Sequence, residues 1–417
     1  MNSFREYFTY RNDKLYCEDV LLEEIAEEYG TPLYVYSSKC FIDKFTQLDK
    51  ALSSHPHLIC YSVKSNSNIN ILRMMQSAGC GMDVVSGGEI YRAIAAGAQP
   101  EKIVYAGVGK TTAEIELALT TGIRMFNCES LPEIERISAI AQRMKKTAHI
   151  AIRVNPDVEA NTHHYITTGK KENKFGISLQ LLPQIVSAIK NMPHIQLTGL
   201  HVHIGSQITD VEPFEEACNR ALEVMNKLKA MGMDKCTTLN LGGGFGIQYN
   251  DGNSLDIDKW AKVIDNAIKD KNIFLIIEPG RYISGNSGAL LTRVQYKKKA
   301  DTKTFIIVDS GMHHLIRPTL YQAYQHIANV TLREGEEIVD VVGPICESGD
   351  FFAKDRKISY TQQGDCLAVL SAGAYGMAMA SRYNSHPLPA EVLVDGCTHR
   401  LIRNRESYED LIARERV

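Results

Sequence analysis

Residues 58–68 read Leu58-Ile59-Cys60-Tyr61-Ser62-Val63-Lys64-Ser65-Asn66-Ser67-Asn68, an apolar run that ends in a lysine and small polar residues. The same pattern recurs from residue 31 to residue 281, where an amphipathic helical stretch follows each short apolar run. The runs lie at 33–36, 58–63, 82–85, 103–106, 124–127, 150–154, 197–204, 239–241 and 274–277. Nearly continuous apolar runs that alternate with helices are typical of parallel strands covered on both faces.

The number of these repeats predicts the fold class. Eight or nine strand–helix units over about 250 residues match the size of a (β/α)8 TIM-like barrel, which we expect over residues 31–281. A doubly wound open sheet stays as the alternative, because local periodicity does not show whether a sheet closes.

The best-supported helix of the predicted barrel covers residues 214–231. Its apolar or small residues fall on one helical face: Phe214, Ala217, Ala221, Met225 and Leu228. Asp210 is the expected N-cap of this helix, and Gly232 is its expected C-terminal stop.

The pattern changes after Arg281. Short β-branched or alternating runs lie between turns rich in Gly, Asp and Lys, at 294–296, 305–308, 337–342 and 366–370. We therefore predict a second, mainly antiparallel β domain over residues 282–417. The first 30 residues are expected to add strands to it.

The composition limits the class of protein. The chain has 417 residues, of which 44% are hydrophobic and 23% charged, and its formal net charge is −3. These values are ordinary for a globular protein and give no indication of nucleic-acid or membrane-surface binding. Ten cysteines without CxxC pairs suggest neither a disulfide framework nor a metal site. An N-terminal segment without an apolar core argues against a signal peptide, so a cytoplasmic location is expected.

Polar residues collect where the predicted barrel strands end, which is the rim where barrel active sites lie. They are Lys64, Asp83, His203, Ser206, Gly242, Gly243, Gly244, Glu278, Pro279, Gly280 and Arg281. A lysine amine can bind a carbonyl group covalently, and a glycine-rich turn lets backbone N–H groups approach a phosphate. A buried glutamate can keep a pyridine nitrogen protonated. Taken singly, Lys64 also fits a surface lysine and the glycines fit a tight turn.

Two further patterns at these strand ends have several interpretations. His201 and His203 alternate, so on a strand they share one face. A metal pair, a ring stacked on a planar cofactor and a buried core histidine all fit this spacing, although nearby ligand-spaced Cys or carboxylate residues are missing. Residues 107–111, Gly-Val-Gly-Lys-Thr, superficially resemble a nucleotide-binding P-loop. Val104 occupies the place of that motif's first glycine, so this interpretation is rejected.

Three segments of the predicted β domain carry residues suited to a site. Arg317 begins an Arg-Pro-Thr-Leu-Tyr segment ending at Tyr321, and its planar guanidinium suits a carboxylate, with a surface salt bridge as the alternative. Cys346 and Glu347 lie in a loop bounded by Gly and Pro, which predicts an exposed thiol beside a carboxylate. Tyr375 lies between glycines, where its phenol can reach a phosphate.

These segments, in this order, resemble the fold-type III pyridoxal-phosphate decarboxylases. The resemblance covers nearly the whole chain, from the Gly-Thr-Pro-Leu-Tyr segment at 30–34 to residues 390–396. Its most specific parts are Cys346-Glu347-Ser348-Gly349-Asp350 and Asn173-Lys174-Phe175-Gly176-Ile177. It implies an alanine-racemase-like barrel plus β domain and pyridoxal 5'-phosphate as cofactor. The implied reaction is decarboxylation of meso-2,6-diaminopimelate to L-lysine, the last step of lysine biosynthesis.

The resemblance also implies roles for single residues. Lys64 would hold the cofactor covalently, His203 would stack on its ring, and Glu278 would pair with the ring nitrogen. The other cofactor contacts would come from Asp83, Ser206, Gly242, Gly243, Gly244, Pro279, Gly280, Arg281 and Tyr375. The substrate would be bound by Arg281, Arg317, Tyr321, Glu347 and Tyr375. Cys346 would deliver a proton after carbon dioxide leaves, and in a homodimer Cys346 and Glu347 would complete the partner's site.

Three other functions are weighed against this one. A related decarboxylase acting on ornithine, lysine or carboxynorspermidine would not need Glu347 and Arg317 together, since they suit a distal ammonium and carboxylate. An inactive binding relative would not need both Lys64 and Cys346. An amino-acid racemase benefits from an unprotonated ring nitrogen, which Glu278 would oppose.

Two residues depart from the family's usual pattern. Gln322 and Gln325 stand where a small residue and a histidine are usual. These departures bear on the fine contacts with the substrate and not on the reaction itself.

Overall fold

The computed structural model describes residues 6–158, 175–250 and 252–417. Residues 1–5 of the expected N-terminal segment, and Asn173 and Lys174 of the family motif, lie outside the described residues. The chain divides into two compact units. The β unit comprises the described parts of 1–43, 247–253 and 283–417, and the barrel unit comprises those of 44–246 and 254–282. No helix in these described ranges is long and apolar enough to cross a membrane.

The first elements belong to the β unit and form a small sheet of their own. Its antiparallel strands are β1 (Phe8–Arg11), β2 (Lys14–Cys17) and β3 (Val20–Leu21), followed by helix α1 (Leu22–Tyr29). This small sheet contacts residues 330–332: Leu15 N donates to the Val330 carbonyl at 2.8 Å, and an isolated bridge pairs Lys14 with Thr331. Phe8, Leu15 and Leu22 also pack in one hydrophobic core with Leu33 and Val35. The described residues among the first 30 therefore belong to the β unit but form a sheet separate from its larger one.

The run at 33–36, interpreted as the first barrel repeat, belongs instead to the β unit. It forms strand β4 (Leu33–Ser37), which pairs antiparallel with residues 288–291 and parallel with residues 390–394. All five residues of β4 are buried. A central strand covered on both faces has the same apolar pattern in either architecture, so the sequence did not distinguish them. Helix α2 (Ser38–Ala51) follows β4.

Eight parallel strands form a closed barrel in the barrel unit. They are β5 (His57–Ser62), β6 (Gly81–Val84), β7 (Ile103–Tyr105), β8 (Met125–Cys128), β9 (Ala148–Arg153), β10 (Ile195–His201), β11 (Thr238–Asn240) and β12 (Phe274–Ile277). The last strand pairs with the first, with Leu275 opposite His57 and Ile277 opposite Ile59. This pairing confirms the predicted barrel and excludes the open sheet.

Helices follow the barrel strands in chain order. They are α3 (Ile69–Ser77), α4 (Gly87–Ala95), α5 (Thr112–Thr121), α6 (Leu131–Met144), α7 (Leu182–Lys190), α8 (Glu212–Ala230) and α9 (Ile257–Ile268). The five residues predicted to share one face of α8 are all buried. Asp210 is not the N-cap, because Val211 occupies that position without a side-chain hydrogen bond. Pro213 lies in the first turn of α8, where its missing N–H needs no partner.

The rest of the β unit is a mainly antiparallel sheet, as predicted. After α10 (Arg281–Ser284), its elements are β13 (Gly288–Lys299), β14 (Thr304–Val308), α11 (Arg317–Tyr321), β15 (Ile327–Asn329), β16 (Glu336–Val342), β17 (Phe351–Ser359), β18 (Cys366–Val369), β19 (Ala390–Asp395), β20 (Thr398–Arg403) and α12 (Tyr408–Ile412). The main strand order is β17-β16-β14-β13-β4-β19-β20, and β18 pairs with β13 and β15. Two pairings, β14–β16 and β4–β19, are parallel.

Candidate active site

Strand β5 places Lys64 at the rim of the barrel, where a single 3-10 turn, Val63–Ser65, follows the strand. Lys64 Nζ donates to Asp83 Oδ2 at 2.9 Å, and Ser62 Oγ donates to the same oxygen at 2.6 Å. The Asp83 side chain is fully buried, whereas that of Lys64 is 40% exposed. The lysine amine is thus oriented by a buried carboxylate while it stays accessible to a ligand.

Glu278 follows β12 and is a buried carboxylate with several donors around it. Asn127 Nδ2 and Asn240 Nδ2 both donate to Oε1, at 3.0 and 2.6 Å, and His201 Nε2 lies 3.3 Å from Oε2. Burial alone raises the pKa of Glu278, but His201, Lys64 and the Asn240 hydrogen bond outweigh it and hold the pKa below its ordinary value. This acid is therefore ionised at neutral pH.

The glycine turn after β11 packs directly against neighbouring backbone. A Cβ atom at Gly243 would lie 2.2 Å from the carbonyl oxygen of Glu278, and one at Gly244 would lie 2.5 Å from that of Gly205. Gly242 and Gly244 also have left-handed φ values of 66° and 99°. No larger residue fits this turn, so its backbone is left open to a ligand at the rim.

His203 lies beside the glycine turn. Its Nδ1 accepts a hydrogen bond from the backbone N–H of Gly243 at 3.2 Å. Burial lowers the pKa of His203 well below its ordinary value, and the positive charges of Arg153 and Lys64 lower it further. The ring is therefore neutral, with Nδ1 held as an acceptor.

The remaining residues expected at the barrel rim lie together with these. Arg281 Nη2 donates to Ser206 Oγ at 3.1 Å. Ser62 N donates to the Pro279 carbonyl at 3.1 Å, and a Cβ at Gly280 would lie 3.0 Å from the Ser62 Cβ. The segment after β12 is thus packed against the end of β5, two residues before Lys64.

Sequence reasoning missed the side chains that support Glu278. Asn127 ends the run at 124–127 and Asn240 ends β11, so a polar residue at a strand end was the available signal. Asn127 is itself fixed by the buried amine of Lys110, which donates to its carbonyl at 2.9 Å and to Glu133 at 2.5 Å. Lys110, from the rejected P-loop segment, is therefore a structural contact of the rim.

The short helix α11 of the β unit begins at Arg317 and ends at Tyr321. Arg317 is 6% exposed, and its guanidinium lies 4.8 Å from the ring centroid of Tyr249. A surface salt bridge, the alternative considered for Arg317, does not describe so buried a side chain.

The loop that carries Cys346 and Glu347 is held by several hydrogen bonds, among them one from the Cys346 backbone N–H to Asn384 Oδ1 at 3.1 Å. Asp350 accepts from the backbone N–H of Met312 at 2.6 Å and from that of Ile345 at 2.7 Å. Cys346 and Glu347 are both exposed, as predicted for the thiol. The Cys346 thiol and the Glu347 carboxylate are therefore both accessible to a ligand or to another chain.

Tyr375 is half-buried and has a left-handed φ of 55°. Gly373 and Gly376 lie on either side of it. A Cβ at Gly373 would lie 2.0 Å from the Ser284 carbonyl oxygen, and one at Gly376 would lie 2.4 Å from that of Ala372. These close contacts fix the backbone on both sides of the phenol.

The barrel rim fits one kind of ligand. Within the described ranges, no group of three or more His, Cys, Asp or Glu side chains could hold a metal ion. An accessible lysine amine suits an aldehyde, a side-chain-free turn suits a phosphate, and an ionised acid suits a basic ring nitrogen. Lys64, the turn at 242–244 and Glu278 provide these groups, which together define a pyridoxal-phosphate enzyme built on a TIM-like barrel.

Comparisons with known proteins specify the class further. The family model described as "Pyridoxal-dependent decarboxylase, pyridoxal binding domain" matches residues 38–285. The diaminopimelate decarboxylase of Neisseria meningitidis serogroup B is 46% identical over 402 residues, which is 96% of this chain and 97% of that protein.

Solved structures agree with this match. The diaminopimelate decarboxylase of Helicobacter pylori, complexed with L-lysine, is 40% identical, with a TM-score of 0.91 over 94% of this chain and 99% of that chain. The diaminopimelate decarboxylase of m. jannaschii, also in complex with L-lysine, is 35% identical, with a TM-score of 0.95 over 100% of this chain and 99% of that one. This chain belongs to the diaminopimelate decarboxylase family of pyridoxal-dependent decarboxylases, and its cofactor is pyridoxal 5'-phosphate.

Proposed function

We propose that this chain decarboxylates meso-2,6-diaminopimelate to L-lysine and carbon dioxide, the last step of lysine biosynthesis. The observation that carries the proposal is the convergence of Lys64, the glycine turn and Glu278 at one barrel rim, in a chain 46% identical to a diaminopimelate decarboxylase over nearly its full length. The chain is therefore a carbon–carbon lyase.

The barrel residues bind and orient the cofactor. When bound, pyridoxal phosphate supplies the electron sink for the electrons of the breaking carbon–carbon bond. Lys64 would hold it covalently, and the Asp83 carboxylate orients the Lys64 amine. Glu278 would keep a proton on the ring nitrogen, in accord with its lowered pKa, and the neutral His203 would stack on the ring.

The phosphate and the cofactor's outer edge have their own contacts. The phosphate would be bound by Ser206, Gly242, Gly243, Gly244 and Tyr375. Pro279, Gly280 and Arg281 would contact the cofactor near Glu278. Support comes from the Arg281–Ser206 hydrogen bond and from the lack of room for any side chain in the glycine turn.

Recognition of the substrate's far end depends on opposite charges. Meso-diaminopimelate carries an ammonium and a carboxylate there, and we assign Glu347 to the first and Arg317 to the second. Arg281, Tyr321 and Tyr375 are assigned to the remaining polar groups of the substrate. A ligand without the distal carboxylate would lack the group assigned to Arg317, and a site built for a polar group rejects ligands lacking it by about 10^4-fold or more in favourable cases.

Cys346 supplies the last proton. After the carboxylate leaves as carbon dioxide, the Cys346 thiol gives its proton to the α-carbon, and a carbon–hydrogen bond replaces the broken carbon–carbon bond. The thiol then regains a proton from water. Its exposure and its place beside Glu347 support this role.

The active form is proposed to be a homodimer, in which Cys346 and Glu347 of one copy complete the barrel site of the other. The family resemblance and the exposure of the loop carrying both residues support this arrangement.

Product analysis tests the proposed reaction. Purified protein with pyridoxal phosphate is incubated separately with meso-diaminopimelate, L-lysine and L-ornithine, and carbon dioxide and amine products are measured. Only meso-diaminopimelate is expected to react well, giving L-lysine. Efficient release of cadaverine or putrescine from the other two would contradict the assignment.

The proton-donor assignment has a matched control in the other exposed cysteine, Cys397. Cys346→Ala is expected to bind substrate but to lower kcat by about 10^2-fold or more, since general-acid catalysis contributes about that much. Cys397→Ala should keep the wild-type rate. A Cys346→Ala variant with an unchanged kcat would show that another group donates the proton.

A further inference from the structure

Gln325 lies in the segment after helix α11 and is fully buried, at 0% exposure. Its backbone carbonyl accepts from Arg356 Nη1 at 2.7 Å, and the Arg356 guanidinium lies 4.0 Å from the ring centroid of the adjacent Tyr324. The backbone at this position is therefore fixed, and the direction of the Gln325 side chain follows from it.

Only one orientation of the Gln325 amide gives a hydrogen-bond partner to both its oxygen and its nitrogen. With the oxygen toward Arg317, it accepts from Arg317 Nη1 at 2.7 Å, and the nitrogen then donates to the Leu370 carbonyl at 2.6 Å. The reverse orientation would place oxygen against oxygen and N–H against N–H. The amide is thus a bridge between the guanidinium and the backbone of buried Leu370, which directly follows β18.

The neutrality of this bridge matters for Arg317. The aromatic ring of Tyr249 supports one part of the guanidinium, at 4.8 Å, and the Gln325 oxygen accepts from another part. Neither neighbour carries a negative charge. These two neutral groups therefore fix the orientation of the guanidinium, and a planar guanidinium in a fixed orientation suits the geometry of a carboxylate.

We propose that Gln325 is the positioning residue that makes Arg317 selective for the carboxylate on the substrate's distal carbon. This inference deepens the proposed function and rests on it. L-Lysine keeps the ammonium and carboxylate of that distal carbon, whereas cadaverine has the ammonium without the carboxylate. The dissociation constant of cadaverine divided by that of L-lysine therefore measures how strongly Arg317 selects for the distal carboxylate.

The test uses the holoenzyme and two variants. Gln325→Ala removes the acceptor, and Gln325→Glu keeps the size but places a negative charge against Arg317 and removes the donor to Leu370. We expect the ratio to fall about 10-fold in Gln325→Ala, as for loss of a hydrogen bond to a charged group, and further in Gln325→Glu. The KM for meso-diaminopimelate should rise in step, with kcat within about 3-fold of wild type.

The neighbouring Gln322 provides the matched control. It is exposed and has a left-handed φ of 51°, so Gln322→Gly suits the backbone and leaves Arg317 untouched. The ratio of the cadaverine and L-lysine dissociation constants in Gln322→Gly should equal that of the wild-type protein. Both constants are measured on one sample, so the ratio does not depend on the folded fraction.

The outcomes separate the hypotheses. A ratio that stays at the wild-type value in both Gln325 variants, or equal weakening of both ligands, would overturn the positioning role. Loss of the fold in both variants would make Gln325 a purely structural residue and overturn it too. A wild-type protein that prefers cadaverine, or that does not act on meso-diaminopimelate, refutes the proposed function itself, together with this inference.

Discussion

Asp83 and Glu278 are both buried acids at the barrel rim, and their surroundings shift their pKa values in opposite directions. Burial raises the pKa of Asp83, and the negative charge of Glu278 raises it further, against the opposing effect of Lys64. Burial raises the pKa of Glu278 too, but His201, Lys64 and the Asn240 hydrogen bond outweigh it and hold the pKa below its ordinary value. The acid assigned to the ring nitrogen is thus the one whose surroundings favour its ionised form.

A pH dependence of stability follows from two buried histidines of the β unit. The rings of His313 and His314 lie 3.7 Å apart, and that of His386 lies 4.7 Å from His313. Burial lowers the pKa of His313 to about 2 and that of His314 to about 4. Below pH 6.5, the ordinary pKa of histidine, these two side chains bind protons in the unfolded chain but stay neutral in the folded one. The free energy of unfolding therefore falls as pH falls.

His313→Phe tests this dependence. Lowering the pH from 7 to 5 should reduce the free energy of unfolding of both proteins. The reduction should be smaller in the variant by about 1–2 kcal/mol, because a phenyl ring binds no proton. Urea unfolding at the two pH values measures the difference. Equal reductions in both proteins would mean that His313 is not buried in its neutral form.

Among the elements, the glycine turn after β11 shows why a loop can require small residues for packing rather than for flexibility. Gly243 would place a Cβ 2.2 Å from a backbone oxygen, which a side chain cannot approach. Gly109, in the turn after β7, has nothing within 4 Å of the equivalent atom. The two turns therefore differ in their tolerance of a methyl group, although both are rich in glycine.

Alanine substitutions measure that difference. Gly243→Ala should weaken pyridoxal-phosphate binding at least about 10-fold and lower the melting temperature by several degrees, because backbone must move to make room. Gly109→Ala should change stability by less than about 0.5 kcal/mol. Cofactor titration by absorbance and thermal melting report both effects. Equal tolerance at the two glycines would contradict the packing described here.

At the scale of the whole molecule, the proposed site residues are divided between two units. Residues from Lys64 to Arg281 belong to the barrel unit, and those from Arg317 to Tyr375 belong to the β unit. In the proposed homodimer, the barrel of one copy works with Cys346 and Glu347 of the other. In this arrangement each active site contains residues from two chains.

Mixing inactive variants tests the joint site. If Lys64→Ala and Cys346→Ala chains exchange, half of the dimers are mixed and each contains one intact site, so activity should recover to about a quarter of wild type. Mixing Lys64→Ala with Glu278→Ala, both in the barrel unit, should restore none. If the first mixture stays inactive although chain exchange is demonstrated, the shared site is wrong.

The repeating strand–helix architecture, the change to a β domain after Arg281 and the segments that carry Lys64, Glu278 and Cys346 are all visible in the amino-acid sequence. These features depend on local periodicity and on motifs of a few residues, so they can be read along the chain. The exposure of the Cys346 loop followed from its Gly and Pro content in the same way.

Three features follow from the folded chain and not from local patterns: the sheet that the run at 33–36 joins, the closure of the barrel, and the side chains that support the site. Strand pairing joins residues far apart in sequence, so an apolar run does not identify its partner. The bonds from Asn127 and Asn240 to Glu278, and from Gln325 to Arg317, depend on positions set by packing. Such contacts exist only once distant elements are brought together, which is why the sequence did not reveal them.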